Sequence, residues 1–157
     1  MRTHWIKNNP NSTSIGLAEI LPEEDEKMAN QNAELRDLHP KKKLEFFASR
    51  RLMQHMCEEL GVAFHGIKKD EFGKPHLIES SHHVSISHSY PYVVCAVNPN
   101  TSCGIYIESI RPQLLKIRHK FLNQDELDYC GEDLQRLCLH WSAKEALYKL
   151  FGRKRLL

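Results

Sequence analysis

The sequence has no long apolar run and no paired cysteine motif. No run approaches the roughly 20 apolar residues that a membrane-spanning helix needs, and Met1–Trp5 contains no apolar signal core. The five cysteines are odd in number and include no CxxC pair, which argues against a disulfide framework and against a cysteine-based zinc site. We therefore expect a cytoplasmic protein, without a membrane partner, whose thiols are reduced and buried.

The sequence also lacks a strong charge of either sign. Its net charge of +2 is too small to indicate nucleic-acid binding by itself. Basic clusters at Lys41–Lys43, Arg50–Arg51 and Arg153–Arg155 leave a nucleic-acid binder as an alternative, but acidic runs such as Glu23–Glu26 balance them. We expect no nucleic-acid partner.

The order of patterns along the chain is typical of one α+β domain over residues 1–157. This length is sufficient for a hydrophobic core, and no segment has the composition of a linker. The predicted elements are, in order, a short strand around 15–20, a helix from Pro22 to about Leu38, a helix over Lys41–Leu60, strands between Val62 and Ile107, short helices at Gln113–His119 and Gln124–Tyr129, and a long helix from about Glu132. Asn123 is a good N-cap for the second of the short helices.

The helix predicted over Lys41–Leu60 has two distinct faces. Lys43, Phe47 and Arg50 lie at i, i+4 and i+7 on one of them. Two cations with an aromatic ring between them could hold a phosphate, although a solvated basic face explains the same pattern. The other face should meet the core, with Gly61 as a natural stop. Its apolar stripe consists of Leu44, Ala48, Leu52, Met53, Met56 and Leu60.

Two short polar segments mark turns in the β-rich part of the chain. Gly73–Pro75, which reads Gly-Lys-Pro, is typical of a turn. Ser87–Ser89, which reads Ser-His-Ser, follows an alternating pattern that begins at Val84 and predicts one strand of a hairpin.

The segment Cys103–Glu108 predicts a further strand. In such a strand Ile105 and Ile107 point to one side, and Tyr106 and Glu108 point to the other. The phenol and the carboxylate would therefore share a face.

The last predicted helix contains His140–Phe151 and stops at Gly152. Trp141, Glu145 and Lys149 recur at i, i+4 and i+8 on one side, which indicates either the wall of a cleft or a surface ion pair worth about 0.2–0.5 kcal/mol. The opposite side should face the core. Its apolar residues are Ala143, Ala146, Leu147, Leu150 and Phe151.

In this order, the motifs resemble the 4'-phosphopantetheinyl transferases of the surfactin-synthetase-activating type. The resemblance covers about Lys41–Gly152, and its most specific string is Trp-Ser-x-Lys-Glu-Ala at Trp141–Ala146. It implies a pseudo-symmetric α+β fold and an enzyme, a holo-[acyl-carrier-protein] synthase. Such an enzyme moves phosphopantetheine from coenzyme A, with magnesium, to a serine of an apo acyl or peptidyl carrier protein.

The resemblance also implies roles for basic and polar residues. Lys74 with Pro75, and His88 with Ser87 or Ser89, would hold the phosphates of coenzyme A. Arg50, helped by Lys43, would lie near the adenosine 3'-phosphate. Cationic donors at these positions suit a polyanionic ligand.

The catalytic residues implied by the resemblance are Glu108, Glu145 and Lys149. The two carboxylates would bind magnesium, a hard cation that prefers oxygen ligands. Glu145, or a water beside it, would take the proton of the attacking serine. Lys149 would steady the pyrophosphate, since this reaction depends mainly on positioning and charge neutralisation.

The sequence departs from the family pattern in two ways. Tyr106 stands where the family has a metal-binding aspartate, and a phenol with a pKa near 10 is a poor magnesium ligand. Family members also continue with further strands, so we expect a complete first half over about 1–102 and a truncated second half over about 103–157. Uncovered apolar surface in that second half would favour self-association.

These departures leave two functional hypotheses. The first is magnesium-dependent transfer of phosphopantetheine to a carrier protein. The alternative is a weak or inactive relative that binds coenzyme A or a carrier protein without transfer.

Overall fold

The computed structural model describes residues 1–7, 9, 11–23 and 39–152, without the side chains of residues 5 and 6. Most of the helix predicted between Pro22 and Leu38 lies outside the described residues. The elements are β1 (Arg2–Lys7), β2 (Ser14–Glu19), α1 (Pro40–Glu59), β3 (Ile67–Lys69), β4 (Pro75–Leu77), β5 (His83–Ser89), β6 (Tyr92–Asn98), α2 (Gln113–Ile117), a 3-10 turn (Arg118–Lys120), α3 (Gln124–Cys130) and α4 (Leu134–Phe151).

The strands form one antiparallel sheet with the order β1-β2-β6-β5-β4-β3. The central pairs are long: β5 pairs with β6 from His83 to Ser89, so the predicted hairpin forms. The turn predicted at Ser87–Ser89 is wrong, because these residues continue the strand and the chain turns at Tyr90 and Pro91. By contrast, β4 meets β5 at a single residue pair, His76 with His83. The outer edge of β5 is therefore uncovered by β4 beyond His83, and this edge forms one side of the site.

Helix α1 covers the sheet with the predicted apolar stripe. Its buried side chains pack on those of β2, β4, β5 and β6 to form the main core, and Leu60 at its end is partly buried against them. The helix ends at Glu59, and Gly61 follows with a positive φ, as predicted. The α+β class is confirmed; the division of the chain into two halves stays a prediction.

Helices α2 to α4 build a second, smaller core. It consists of Leu114, Leu122, Cys130, Leu137 and Cys138, with partly buried neighbours such as Trp141 and Phe121. Asn123 caps α3 as predicted, and with Glu126 it forms a reciprocal capping box. All five cysteines are buried free thiols, which confirms the expectation from their number and spacing.

The strand predicted over Cys103–Glu108 does not form. The segment is extended, but its amides at Ile105 and Ile107 donate to the hydroxyls of Ser85 and Ser87, at 3.1 and 3.2 Å. The sequence pattern correctly predicted that every second residue of the segment has the same orientation, but it did not predict the groups that accept its amide hydrogens. Side-chain oxygens of β5 take the place of a neighbouring strand's carbonyls, so no ladder is built.

The orientation predicted for the last helix is wrong. Its apolar side is exposed: Leu139 and Leu147 have 69% and 61% of their surface accessible, and Leu150 and Phe151 are also exposed. The side with Trp141, Glu145 and Lys149 is partly buried instead, because Trp141 and Lys149 have polar partners inside the protein.

Close approach fixes this orientation of α4. A Cβ atom at Gly104 would lie 2.1 Å from the carbonyl oxygen of Ala146 and 2.6 Å from the nitrogen of Leu150. Only glycine lets the extended segment cross the helix backbone so closely. The helix then ends at Gly152 in the left-handed conformation, as its position predicted.

Among the described residues, no helix combines the length and the apolarity that crossing a membrane requires.

Candidate functional site

A cleft of about 480 Å³ lies between α1, the β3–β4 turn, the edge of β5 and the end of α4. Basic and apolar side chains share its walls. The basic side chains are Lys42, Arg50, Lys69, Lys74, His88 and Lys149, and the large apolar ones are Phe46, Ile67, Phe72, Val84, Ile86 and Tyr148. Such a cleft suits a ligand with several negative charges and an apolar or aromatic part.

Lys74 reaches the cleft from the predicted Gly-Lys-Pro turn. The Asp70 carboxylate holds this turn by accepting the amide hydrogens of Phe72 and Lys74, both at 2.9 Å. The ammonium of Lys74 donates to the hydroxyl of Ser102 and, at 3.2 Å, to the carbonyl of Leu150. Lys74 and the adjacent Pro75 both line the cleft, and their role in holding a phosphate stays a prediction.

Arg50 lies on the cleft side of α1. Its guanidinium carbon is 3.1 Å from the centroid of the Phe46 ring, and its Nη1 donates to the Phe46 carbonyl at 3.3 Å. The ring supports the guanidinium from below and leaves an aromatic edge beside it, a combination that suits a nucleotide phosphate next to a base.

Lys43 does not line the cleft; Lys42 does. One residue along a helix is a rotation of about 100°, so Lys43 lies on a different side. The residues of α1 that line the cleft are spaced at i, i+4, i+7 and i+8: Lys42, Phe46, Ser49 and Arg50. The predicted lysine and phenylalanine were therefore one position too far along the chain, and only the arginine was correct. Lys69 on β3 was also missed, since exposed lysines on short strands have no distinctive pattern.

His88 is paired with a buried acid that the sequence analysis did not identify. Its Nδ1 lies 3.2 Å from Oε2 of Glu45, whose side chain is only 7% exposed, and Lys42 lies 3.4 Å from the same oxygen. Burial lowers the pKa of His88, whereas the charge of Glu45 opposes this shift. Glu45 thus orients the His88 ring toward the cleft. The sequence did contain a signal for this pair, since Glu45 lies next to Leu44 of the apolar stripe of α1, where a carboxylate needs a partner.

Ser87 and Ser89 do not line the cleft. Ser87 accepts the amide hydrogen of Ile107, and the Ser89 hydroxyl lies 2.8 Å from that of Ser109. Their contacts position the 103–109 segment, and the structure does not bring them to the basic residues of the cleft.

Lys149 enters the cleft from α4. Its ammonium donates to the carbonyl of Ile86, on the uncovered edge of β5, at 2.8 Å, and lies 5.0 Å from the centroid of the Tyr106 ring. Burial lowers the pKa of Lys149 to about 8, and the negative charge of Glu145 opposes the shift. A cation with so little hydration interacts strongly with a phosphate placed beside it.

Next to Lys149, Tyr106 and Glu108 form a hydrogen-bonded cluster with Trp141. The Tyr106 hydroxyl donates to Oε2 of Glu108, and the Trp141 indole donates to the Tyr106 oxygen, both at 3.2 Å. Burial raises the pKa of Tyr106, and the charges of Glu108 and Glu145 raise it further. Tyr106 therefore remains a neutral phenol.

The oxygens of Glu108 already have other partners. Besides Tyr106, Oε2 accepts from Arg111 at 2.8 Å, and Oε1 accepts from the Ser109 amide at 2.9 Å. The described residues contain no group of three or more His, Cys, Asp or Glu side chains arranged to hold a metal. As arranged, a guanidinium and a neutral phenol on Glu108 do not fit a magnesium ion. The assignments of Glu108 and Glu145 to metal stay predictions.

The structure thus divides the predicted residues into two neighbouring groups. Lys74, Pro75, His88, Arg50 and Lys149 line the cleft. Glu108, Tyr106 and Trp141 form the adjacent cluster, and the charge of Glu145 acts on both Tyr106 and Lys149.

Comparisons with known proteins find similarity to one family over parts of the chain. Residues 102–157 match the family model of the 4'-phosphopantetheinyl transferase superfamily. The chain is 33% identical over 91 residues to the 4'-phosphopantetheinyl transferase gsp of Aneurinibacillus migulanus, and the aligned region covers 55% of the chain and 38% of that relative. It is 39% identical over 87 residues to the 4'-phosphopantetheinyl transferase psf-1 of Bacillus pumilus, covering 52% and 37%. The chain thus spans less than two fifths of each curated relative.

Proposed function

We propose that this chain, a relative of the 4'-phosphopantetheinyl transferases, binds coenzyme A in the basic cleft and transfers its phosphopantetheine to a serine of an apo carrier protein. The composition of the cleft is the observation that supports the proposal most. Coenzyme A combines a pyrophosphate and a 3'-phosphate with an adenine ring and a long neutral arm. The cleft offers basic side chains on α1, β3, the β3–β4 turn, β5 and α4 between apolar walls.

In this proposal each basic side chain binds its own part of the ligand, and His88, whose pKa burial lowers in the free protein, takes up a proton when the phosphate binds. Arg50, stacked on Phe46, takes the adenosine 3'-phosphate, with Lys42 in the place predicted for Lys43. Lys74 and His88 take the pyrophosphate together with Lys149. Ionic hydrogen bonds of this kind are the strong ones in a partly dehydrated cleft.

The transfer itself forms one bond and breaks one. The serine oxygen of the carrier attacks the phosphorus that bears the pantetheine arm, and the bond from this phosphorus to the bridging oxygen breaks. Adenosine 3',5'-bisphosphate leaves, and the serine proton passes to Glu145 or to a water beside it. Lys149 stabilises the charge that develops on the leaving phosphate.

The resemblance implies that magnesium takes part, and this requirement stays a prediction for the chain. Bound magnesium would supply further charge neutralisation at the pyrophosphate. The steps above use only groups of this chain, because the contacts of Glu108 leave it unsuited to a metal in the described arrangement.

The second candidate function is binding without transfer. The cluster of Tyr106, Glu108 and Arg111 favours it, because a site that resembles a catalytic centre has exchanged one carboxylate for a phenol. Such a protein would hold coenzyme A or a carrier protein in the same cleft.

The remaining expectations are also proposals. They are a cytoplasmic location, an acyl or peptidyl carrier protein as partner, and self-association through the exposed apolar side of α4, which contains Leu139, Leu147, Leu150 and Phe151.

The deciding experiment measures the intact mass of an apo acyl carrier protein after incubation with the chain, coenzyme A and magnesium, alongside calorimetric binding of coenzyme A. A full-length active transferase serves as the positive control. A gain of one phosphopantetheinyl group supports transfer; binding without a mass gain supports the second candidate. Neither binding nor gain would refute both.

A matched pair of variants locates the binding site. Lys68 and Lys69 are neighbours on β3, and only Lys69 lines the cleft. The Lys69→Ala change should weaken coenzyme A binding by about tenfold, the loss of one charged hydrogen bond. Lys68→Ala should leave it unchanged, and equal effects of the two changes would contradict this location.

A further inference from the structure

Arg111 occupies the position from which a metal ion would approach Glu108. Its Nη2 is 2.8 Å from Oε2 of Glu108, the oxygen that also accepts the Tyr106 hydroxyl. The Glu108 side chain is 7% exposed and that of Arg111 is 53% exposed. The guanidinium therefore lies at the solvent side of a buried carboxylate, where it closes the access to that carboxylate.

The charges around Tyr106 balance without an added ion. The carboxylates of Glu108 and Glu145 lie near the cations Arg111 and Lys149. A dication placed among these groups would lie near two cations, Arg111 and Lys149. The carboxylate left for it to bind would be that of Glu145, since Glu108 is already paired with Arg111. Both cations would repel the dication, the poorly hydrated ammonium of Lys149 more strongly than the half-exposed guanidinium of Arg111.

Tyr106 adds a second obstacle. Its hydroxyl is fixed between the Trp141 indole, from which it accepts, and Glu108, to which it donates. The hydroxyl proton points toward the carboxylate and a lone pair of the oxygen points toward the indole N–H. The phenol oxygen therefore already has a partner on each side and is poorly placed to bind a metal ion.

We infer that Arg111 is an internal counter-charge, which holds Glu108 in place of a divalent cation, so that Tyr106, Glu108 and Arg111 form a site that does not take up a metal. Arg111 is in this sense a positioning residue: it orients Glu108 and fixes the 106–111 segment beside the cleft. Its relevance to catalysis rests on the proposed function, whereas the exclusion of metal is a property of the chain alone.

The test is a Mn²⁺ titration followed by electron paramagnetic resonance, which counts bound ions independently of transfer. The wild-type chain should show no saturable Mn²⁺ binding up to about 1 mM, a range in which a site with two vacant carboxylates binds. Arg111→Ala should bring saturable Mn²⁺ binding into this range, since it removes one like charge. The double variant Tyr106→Asp, Arg111→Ala should bind more tightly still.

Arg136→Ala is the matched control, since Arg136 also pairs with an acid three residues away, Asp133, but at the exposed start of α4. It should leave Mn²⁺ binding unchanged. Saturable binding by the wild type that Glu108→Gln abolishes would overturn the inference. So would failure of folded Arg111→Ala, as judged by its thermal melt, to bind more Mn²⁺ than the wild type.

If Arg111→Ala does not fold, the wild-type titration and Glu108→Gln decide the matter. Parallel transfer assays with EDTA and with magnesium keep the two proposals apart. A chain that excludes Mn²⁺ and transfers nothing loses the proposed transfer but keeps this inference. A chain that transfers phosphopantetheine and binds Mn²⁺ through Glu108 keeps the proposed transfer but contradicts this inference.

Discussion

The ammonium of Lys149 donates a hydrogen bond to the main-chain carbonyl of Ile86 at 2.8 Å. This contact joins the last helix to the one stretch of β5 that β4 leaves uncovered. The charge is held at a fixed place in the cleft wall, so its chemical role and its contribution to stability can be measured separately.

Replacing Lys149 by methionine should abolish most of the proposed transfer and leave the fold intact. The loss of one positioned donor to a developing charge costs about 10²–10³ in rate. The Ile86 carbonyl loses a hydrogen bond worth about 1 kcal/mol, but a poorly hydrated charge is removed as well, so the melting temperature should change little. Single-turnover mass analysis and a thermal melt measure both effects. Lys116→Met, at an exposed position of α2, is the control.

Transfer should slow as the pH rises through about 8, where Lys149 loses its proton. Lys149→Arg keeps its charge at higher pH, so in this variant the decline should begin at a higher pH. A rate profile of the two proteins between pH 6.5 and 9.5 tests this. Coincident profiles would exclude Lys149 as the titrating group.

The stability contribution of Lys149 should change in the opposite direction. Its pKa is about 8 in the folded protein and near 10.5 in the unfolded chain, so above pH 8 the unfolded state binds more protons and stability rises with pH. Cys57 and Cys103, whose pKa burial raises to about 11, act in the other sense above about pH 9. Denaturant unfolding of wild type and Lys149→Met between pH 7 and 9 should show a difference that grows in favour of the wild type.

Glu45→Gln should lower the pKa of His88 further. The carboxylate favours the imidazolium, whereas burial and the charges of Lys42 and Lys149 oppose it. Removing the carboxylate leaves only the opposing influences. The shift can be followed by NMR of the His88 ring, with the exposed Glu71→Gln as control. An unchanged titration would show that the contact between Glu45 and His88 does not persist in solution.

Gly104→Ala should destabilise the protein by about 1–3 kcal/mol, the usual cost of overpacking. The new methyl group would meet backbone atoms of Ala146 and Leu150, which cannot move without shifting α4. Denaturant unfolding measures the loss, and Asn100→Ala in the preceding turn is the control. A neutral substitution would mean that α4 can move away from the segment at low cost.

Local signals in the sequence predicted local structure well. The stripe of α1, the cap at Asn123 and the stop at Gly152 depend on residues within one or two turns of each other, and all are confirmed. The Gly-Lys-Pro turn was predicted for the same reason, since Asp70 closes it from four residues before Lys74, whereas the role of Lys74 in the site came from the family resemblance.

Signals that depend on distant partners were less informative. The pattern at 103–108 could not reveal that Ser85 and Ser87 would supply side-chain oxygens instead of a strand. The apolar residues of α4 indicated a buried side, but partners of Trp141 and Lys149 elsewhere in the chain turned the other side inward. The pairing of Glu45 with His88 likewise joins a helix and a strand 43 residues apart, a separation no short pattern reports.

The ammonium of Lys74 has a consequence for how the protein responds to a ligand. It is bound to Ser102 and to the carbonyl of Leu150, 76 residues away in the last turn of α4. These contacts use two of the three ammonium hydrogens, so a phosphate that accepts more than one hydrogen from Lys74 competes with Ser102 or with that carbonyl. Occupancy of the cleft and fraying of the helix end are therefore coupled equilibria, and amide hydrogen exchange near Leu150 would report ligand binding from a residue that need not touch the ligand.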